Sequence, residues 1–183
     1  MNRTKEAIYE ASVYVFSKSG YTGAAMDDIA LRAKVAKGTL YYHFKSKEDL
    51  FLFVMQTGLG HMIDDAKSVI ESSLPPEEKL HALCKSQLRL VRQNENFIKV
   101  ILSQLFGQEE RQRILRGKLN EYAALISSCI DQTGRERLPK ESGAAAFGFL
   151  GTLVSAAVYS ALSGAQKKDI SDLLIENYLH GIL

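Results

Sequence analysis

The sequence predicts an all-α protein of about nine helices. Apolar residues recur at helical spacing along the chain, and no segment shows a convincing alternation of the kind expected for a strand. The three prolines lie at two places only, Pro75-Pro76 and Pro139, where they separate helices. With 183 residues, of which 46% are hydrophobic, the chain can bury a helical core without disulfide bonds.

Three short helices are expected within the first 50 residues. The first runs from about Arg3 to Ser19 with one apolar face, and Gly20 ends it because glycine tolerates a positive φ. The second covers about Met26 to Ala33, and two aspartates in its first turn complement the helix dipole. The third covers about Lys37 to His43.

Six longer helices are expected to follow. Ser46 is a typical N-cap for the fourth helix, and Asp49 three residues later completes a partial capping box. Gly58 and Gly60 weaken the middle of that helix and are plausible places for it to bend. The expected ranges are about 46–73, 77–93, 95–106, 109–132, 142–162 and 169–183.

The charge of the chain is small and local. The formal net charge is +2, and residues 1–50 carry eight basic and six acidic side chains, so the whole excess lies there. A local basic excess favours an anionic partner, although an excess of this size is weak evidence by itself.

The cysteines and the N-terminus indicate a cytoplasmic protein. Cys84 and Cys129 match no metal or redox spacing, and we expect both in the core of a protein from a reducing compartment. No apolar signal segment precedes the first amphipathic pattern.

One segment raises the question of a membrane. Residues 142–166 carry no formal charge, and about 20 apolar residues suffice to span a bilayer. The segment is rich in Ala, Gly, Ser and Thr, which contribute little transfer energy but let helices approach closely. A helix buried at a protein interface explains it better, so no membrane partner is expected.

The first 50 residues have the pattern of a helix-turn-helix. Such a module needs a small core and one helix with an exposed face that enters the major groove. The residues spaced to build the core are Ile29, Ala30, Ala33, Val35, Leu40 and Phe44. The residues left to project outward are Lys37, Thr39, Tyr42 and His43. Their ammonium, hydroxyl, phenol and imidazole groups can bind phosphates and base edges.

The segment KGTLYYHFKSKEDLF at residues 37–51, with Gly20-Tyr21 and Asp28-Ile29-Ala30, closely resembles the N-terminal domain of TetR-type transcriptional regulators. The resemblance covers about the first 50 residues. It implies a helix-turn-helix DNA-binding domain at 1–46 and a helical ligand-binding and dimerisation domain at 47–183. It also implies that the third helix, hereafter the reading helix, enters the major groove.

The resemblance assigns DNA-binding roles to seven residues. They are Lys37, Gly38, Thr39, Tyr41, Tyr42, His43 and Lys47. Gly38 would let the helix lie close to the DNA backbone, while the others would bind bases or phosphates. Three alternatives stay open: Tyr41 could be mostly a core ring, Lys45 and Lys47 could be plain solvated charges, and Gly38 could relieve packing between helices.

Three positions depart from the usual TetR pattern. Ala25 stands where a threonine commonly caps the second helix, and Ala36 stands where a serine or threonine caps the reading helix. Each missing cap is expected to cost about 1 kcal/mol. Lys34 replaces the usual glycine of the turn, where a left-handed conformation is less comfortable for lysine.

Beyond residue 51 the resemblance lies in the number and length of the helices. It implies that the last two helices pair with their twins in a homodimer, through Gly148, Gly151, Thr152, Ser155, Tyr159, Leu173, Leu174 and Tyr178. It also implies an apolar effector pocket, for which the candidate inward residues are Cys84, Leu88, Phe97, Ile101, Tyr122, Ile126 and Phe147. The alternative for both sets is ordinary intramolecular core.

The sequence therefore predicts a ligand-responsive regulator, a repressor by resemblance, rather than an enzyme. The expected partners are palindromic double-stranded operator DNA, a second copy of the chain and a small lipophilic effector, with no cofactor and no metal. Phosphate-loop, nucleophile-elbow and zinc-protease motifs are missing, and His81 with Cys84 offers only two metal ligands. The alternatives are an architectural DNA-binding protein without an effector and, more distantly, an all-helical enzyme.

Overall fold

The computed structural model describes residues 2–133, 139–163 and 168–182, and these are helical nearly throughout. Within them lie nine α-helices and no strand, which confirms the predicted fold class. The helices are α1 Arg3–Gly23, α2 Met26–Arg32, α3 Lys37–His43, α4 Lys47–Ile70, α5 Pro76–Gln93, α6 Glu95–Gln104, α7 Glu110–Asp131, α8 Pro139–Ser163 and α9 Lys168–Ile182. Leu183, the predicted end of the ninth helix, lies outside the described residues.

The first continuous helical segment of α1 ends at Gly20, as the sequence predicted. Gly20 has a non-helical backbone, with a φ of 68° and a ψ of 173°, and the chain is kinked there. A short second segment, which the sequence did not predict, continues to Gly23. The Ala24 N–H donates to the Gly20 carbonyl oxygen at 3.2 Å and closes this second segment.

The chain divides into two compact units. Unit 1 consists of Met1–Gly60 and Asn96–Lys118, and unit 2 consists of His61–Glu95 and Leu119–Leu183. The helices α4 and α7 contribute residues to both. This division follows the density of contacts, so the functional boundary between residues 46 and 47 stays a prediction.

The core of unit 1 is built by the apolar faces of its short helices. In α1, residues Ile8 and Phe16 lie two turns apart and are almost fully buried, as helical spacing requires. Ile29 of α2 and Leu40 of α3 have no exposed surface. The Phe16 ring meets the Phe51 ring edge-on, with centroids 5.4 Å apart. Of the six predicted core residues, only Val35 is half-buried rather than buried.

Gly58 of α4 lies against a buried aromatic ring. A Cβ atom added at Gly58 would lie 2.2 Å from Cζ of Phe97, and Phe97 is only 2% exposed. Apart from the adjacent residues and the backbone of α4 itself, no described atom lies within 4 Å of the corresponding position at Gly60. The two glycines that the sequence treated alike therefore differ, because Gly58 makes room for Phe97 and Gly60 does not.

We predict that Gly58→Ala and Gly60→Ala change stability in opposite directions. At Gly58 the new methyl group forces a buried ring to move, and overpacking of this kind costs about 1–3 kcal/mol. At Gly60 alanine gains helix propensity of up to about 1 kcal/mol. Urea denaturation of the two variants measures the difference, and equal shifts would contradict the packing argument.

The core of unit 2 includes a polar network among apolar residues. On α5 the buried residues include Leu80, Leu83, Leu88 and Val91, one stripe of the helix. Gln87 lies on the same side and has no exposed surface. Burying an amide without hydrogen-bond partners lowers the free energy of unfolding. The effect of Gln87 on stability therefore depends on its hydrogen bonds.

Each polar atom of the Gln87 side chain has a partner. Its Nε2 donates to the Met62 carbonyl oxygen at 3.2 Å and to Oδ2 of Asp65 at 2.9 Å. Its Oε1 accepts from the Tyr122 hydroxyl, and Tyr122 is 1% exposed. Burial is the main cause that raises the pKa of Tyr122 above its usual range, so the phenol stays protonated and donates.

The two cysteines are buried in unit 2, as predicted. Cys84 and Cys129 are free thiols without exposed surface. Burial raises the pKa of Cys84 to about 12, and it raises the pKa of Cys129 as well. Because the thiolate is the reactive form, both side chains behave as small core residues.

Helix α8, which the sequence predicted to be buried at a protein interface, is exposed along much of its length. The stretch Glu141–Tyr159 is long and apolar enough to cross a membrane, and only 28% of its most apolar part is buried in the structure. Ala146, Phe149 and Leu153 face the core, while Gly148 and Gly151 are exposed. One such helix is weak evidence for a membrane span.

Candidate nucleic-acid interface

The reading helix, α3, presents two tyrosines to solvent. Leu40 has no exposed surface and anchors the helix, whereas Tyr42 is 76% exposed and Tyr41 is 38% exposed. Lys37 and Gly38 are exposed, and Thr39 and His43 are half-buried. The predicted outward residues therefore share the accessible side of the helix, and Tyr41 is not a core ring.

Aromatic and basic groups lie close together at the C-terminal end of α3. The Tyr42 and His43 rings meet at a steep angle with centroids 5.3 Å apart. The Lys45 ammonium lies 6.0 Å from the centroid of the Tyr42 ring. The arrangement brings a phenol, an imidazole and a cation to one exposed surface, and such groups suit contacts with phosphates and base edges.

The first residue of α3 is held by an acidic residue of α2. Nζ of Lys37 donates to Oδ2 of Asp27 at 2.8 Å, and both side chains are about 60% exposed. The hydrogen bond and the charge of Asp27 raise the pKa of Lys37, so the ammonium stays charged. Asp27 was not among the predicted site residues, and only its place in the first turn of α2 gave a signal.

Lys47 has partners within the protein, so it is not a plain solvated charge. Its Nζ donates to the carbonyl oxygens of Thr22 and Ala24, each at 3.0 Å. An ammonium group has three N–H donors, so these bonds leave one for another partner. An open cleft of about 310 Å³ lies beside it, lined by Ala24, Ala25, Met26, Asp27, Lys37, Tyr41 and Lys47.

Gly38 is not required for packing between helices. Apart from the adjacent residues and the backbone of α3 itself, no described atom comes within 4 Å of the position that a Cβ would take there. The open space favours the other interpretation, in which the missing side chain lets the helix approach a partner closely. That interpretation stays a prediction.

The three unusual residues of the helix-turn-helix have the predicted local structure. Ala25 and Ala36 are the N-cap residues of α2 and α3. At neither residue does a side chain form a capping hydrogen bond. Lys34 has a φ of 55°, the left-handed conformation that glycine usually takes. The helix-turn-helix therefore folds without two N-cap hydrogen bonds and with a lysine in a backbone conformation that favours glycine.

We predict that Ala36→Ser raises the free energy of unfolding by about 1 kcal/mol, because a serine hydroxyl at the N-cap can accept from an amide of the first turn. The extended backbone of Ala36, with a φ of −64° and a ψ of 145°, suits this role. Ala36→Val is the control, because valine offers no side-chain acceptor and is as poor an N-cap as alanine. Urea denaturation that finds the serine and valine variants equally stable would contradict the prediction.

The residues predicted for an effector pocket do not all face the interior. Phe97 and Ile101 are buried in unit 1, whereas Cys84, Leu88, Tyr122 and Ile126 are buried in unit 2. Phe147 is 57% exposed, which corrects its predicted inward position. The helical spacing that gave the prediction could not say which side of α8 meets the core.

The residues predicted for a dimer interface lie on α8 and α9. Gly148, Gly151 and Ser155 are exposed, and Leu173 is 51% exposed. The others are half-buried: Thr152, Tyr159, Leu174 and Tyr178. The Tyr178 hydroxyl donates to the Ala145 carbonyl oxygen at 2.7 Å and so ties α9 to α8 within the chain.

The described part of the chain does not bring a metal-ligand set together. Among the residues that the structure describes, no group of three or more His, Cys, Asp or Glu side chains could hold a metal ion. His81 is exposed while Cys84 is buried, so this pair does not face a common site.

Comparisons with known proteins agree with this geometry. The family described as bacterial regulatory proteins, tetR family, matches residues 8–54. A Clostridium perfringens protein assigned as a fatty acid metabolism regulator is 37% identical, with a TM-score of 0.85 and coverage of 97% of this chain and 96% of that chain. The transcriptional regulator FadR from Bacillus subtilis, in complex with stearoyl-CoA, is 22% identical with a TM-score of 0.80, which shows a shared fold.

A curated relative aligns along most of the chain. The HTH-type transcriptional regulator YerO from Bacillus subtilis is 28% identical over 186 residues, which cover 96% of this chain and 63% of that protein. Two further matches cover 50% and 57% of their proteins. The chain thus spans less than two thirds of the length of these curated relatives.

Proposed function

The chain belongs to the TetR family of bacterial regulatory proteins, and on that premise we propose that it is a ligand-responsive transcriptional repressor. It binds a palindromic operator as a homodimer and leaves it when a small lipophilic effector binds. A protein with this activity works in the cytoplasm, where the DNA is. One observation carries the proposal: α3 buries Leu40 and exposes Lys37 and Tyr42 on a helix within the matched segment.

The proposed DNA contacts are those of the reading helix and its neighbours. Tyr42 and Lys37 reach base edges or phosphates, Gly38 permits close approach, and His43 binds phosphate. Lys47 contributes its remaining N–H to a phosphate while its other two donors stay on the α1–α2 connection. Thr39 and Tyr41 complete the surface.

The proposed dimer forms through α8 and α9. Exposed small residues on α8 allow close helix packing, and the exposed apolar side chains of Phe147, Val158 and Leu173 would be covered by a second copy. Two-fold symmetry then matches a palindrome whose half-sites are about 34–36 Å apart.

Ser155→Glu should give a monomer in sedimentation experiments, whereas Ser128→Glu on α7 should stay dimeric.

The proposed effector is a long-chain acyl-CoA. Support comes from the apolar candidates in unit 2 and from the fatty acid and acyl-CoA chemistry named for two similar proteins. An effector changes DNA affinity only by binding one state of the protein more tightly than another. Stearoyl-CoA should therefore raise the melting temperature and release operator DNA, while free CoA should do neither.

Selection from genomic DNA tests the regulator itself. The purified protein is incubated with sheared genomic DNA at about 150 mM salt, because contacts to phosphate alone weaken steeply as salt rises. A few enriched fragments that share a palindrome would support the proposal. Uniform weak retention would overturn it in favour of an architectural DNA-binding protein. Enriched fragments that stearoyl-CoA does not release would overturn the effector but not the regulator.

A further inference from the structure

The Tyr21 ring of unit 1 lies between the helix-turn-helix and the N-terminal turn of α7. Cζ of Arg111 lies 3.8 Å from the centroid of this ring, and Nζ of Lys47 lies 5.0 Å from it. Phe51 meets the ring edge-on with centroids 5.1 Å apart, and Phe16 stacks near it at 6.0 Å. Two cations and two core rings therefore fix the position of one tyrosine.

Tyr21 lies where a small movement would displace the DNA-binding module. It directly follows Gly20, the kink of α1, and precedes the carbonyls of Thr22 and Ala24 that accept from Lys47. These residues connect α1 to α2, and α2 carries the Asp27 that holds Lys37. The position of the Tyr21 ring is thus linked through short contacts to the start of the reading helix.

Arg111 is held more firmly than a surface arginine. Its side chain is 10% exposed, its Nε donates to Oε1 of Gln104 at 3.4 Å, and Nη1 forms an ion pair with Glu109. The cation–π interaction of a guanidinium stacked on an aromatic ring is stronger when the pair is shielded from water than when it is exposed. These contacts prepare the guanidinium to act as a fixed support for the ring.

The corner that carries Arg111 is itself braced by side chains. Nη1 of Arg116 donates to the carbonyl oxygens of Leu105 and Gly107 at 3.1 and 2.9 Å. Oε1 of Gln112 accepts from the Glu109 backbone N–H at 3.0 Å. The connection between α6 and α7 is therefore a rigid base within unit 1.

We propose that Arg111 is a positioning residue for DNA binding, which acts through Tyr21 to hold the α1–α2 connection and, with it, the reading helix. The proposal rests on the proposed DNA-binding function, but the positioning itself is a property of the free protein. Loss of the Arg111 guanidinium leaves the exposed DNA-binding side chains unchanged. It makes the position of these side chains less well fixed. The affinity for the specific operator therefore falls more than the affinity for random DNA.

The test compares Arg111→Met with Arg113→Met in the full chain. Arg113 lies two residues after Arg111 and so on another side of α7. It is 63% exposed and pairs with Glu110, so the control removes the same charge and one ion pair. Hydrogen exchange of residues 17–30 in the free protein reports positioning without DNA. Anisotropy with a duplex recovered by genomic selection, and with a random duplex, reports binding.

Arg111→Met should speed exchange of residues 17–30 about five-fold and weaken specific binding about 3- to 10-fold, the range expected for a shielded cation–aromatic contact. Random DNA should bind as before, and Arg113→Met should match the original protein. Tyr21→Leu should behave like Arg111→Met, Tyr21→Phe should not, and the double variant should be no worse than either single one.

Three results would overturn the proposal. They are unchanged exchange at residues 17–30, exchange that rises equally throughout the chain, and equal losses for specific and random DNA. If genomic selection recovers no palindrome, the proposed sequence-specific binding fails. The exchange comparison still decides whether Arg111 positions the α1–α2 connection.

Discussion

Gln87→Leu is expected to lower the free energy of unfolding by about 2–4 kcal/mol, although leucine fills a similar volume and suits a buried helix. The cost arises because the Tyr122 hydroxyl, which is almost completely buried, loses its acceptor. Leaving one buried polar group unsatisfied costs about 1–3 kcal/mol. The Met62 carbonyl and the Asp65 carboxylate lose a donor as well.

The double variant separates this cause from poor packing. Adding Tyr122→Phe to Gln87→Leu removes the orphaned hydroxyl, and replacing both partners by apolar groups can be nearly neutral. We therefore expect the double variant to recover at least half of the loss in urea denaturation. If the second substitution makes the protein still less stable, steric misfit rather than the lost hydrogen bond explains the effect.

Lys37→Gln and Asp27→Asn are expected to change DNA affinity in opposite directions. Lys37 supplies a cation to the proposed interface, and its loss should weaken operator binding about 10-fold and reduce the slope of affinity against salt by about one. Asp27 neutralises that cation from 2.8 Å and adds a negative charge near the DNA. Its conversion to asparagine should strengthen binding to operator and random DNA a few-fold.

Fluorescence anisotropy at several salt concentrations measures both effects. Lys18→Gln is the control, because it removes an exposed positive charge that lies on α1 rather than on the reading helix. If Lys37→Gln weakens binding no more than this control does, Lys37 is not a DNA contact. If Asp27→Asn weakens binding, the aspartate positions the lysine rather than masking it.

Local patterns predicted most of the helices and the exposed surface of α3. Leu40 and Tyr42 lie on opposite sides of a short helix, and the period of 3.6 residues is enough to assign them. Ala25 and Ala36 could be recognised as missing caps because capping depends on neighbours within three residues. The resemblance to the TetR family added the prediction that the reading helix enters the major groove.

Contacts between residues far apart in sequence could not be predicted in this way. Arg111 and Tyr21 are 90 positions apart, and only the fold brings their side chains within 3.8 Å. Gln87 looked like one more polar residue of a helix until Tyr122 supplied its partner. Gly58 and Gly60 looked equivalent because sequence spacing does not show where the Phe97 ring lies.

The left-handed backbone of Gly20 has a consequence for how this chain tolerates mutation. No described atom would obstruct a side chain there. Judged by burial and steric contacts alone, the position would therefore be expected to tolerate substitution. Every residue that a single nucleotide change can introduce has an L-configured Cβ, and a φ of 68° strains it. Gly20 should therefore be depleted of substitutions in natural variation even though the space around it is empty.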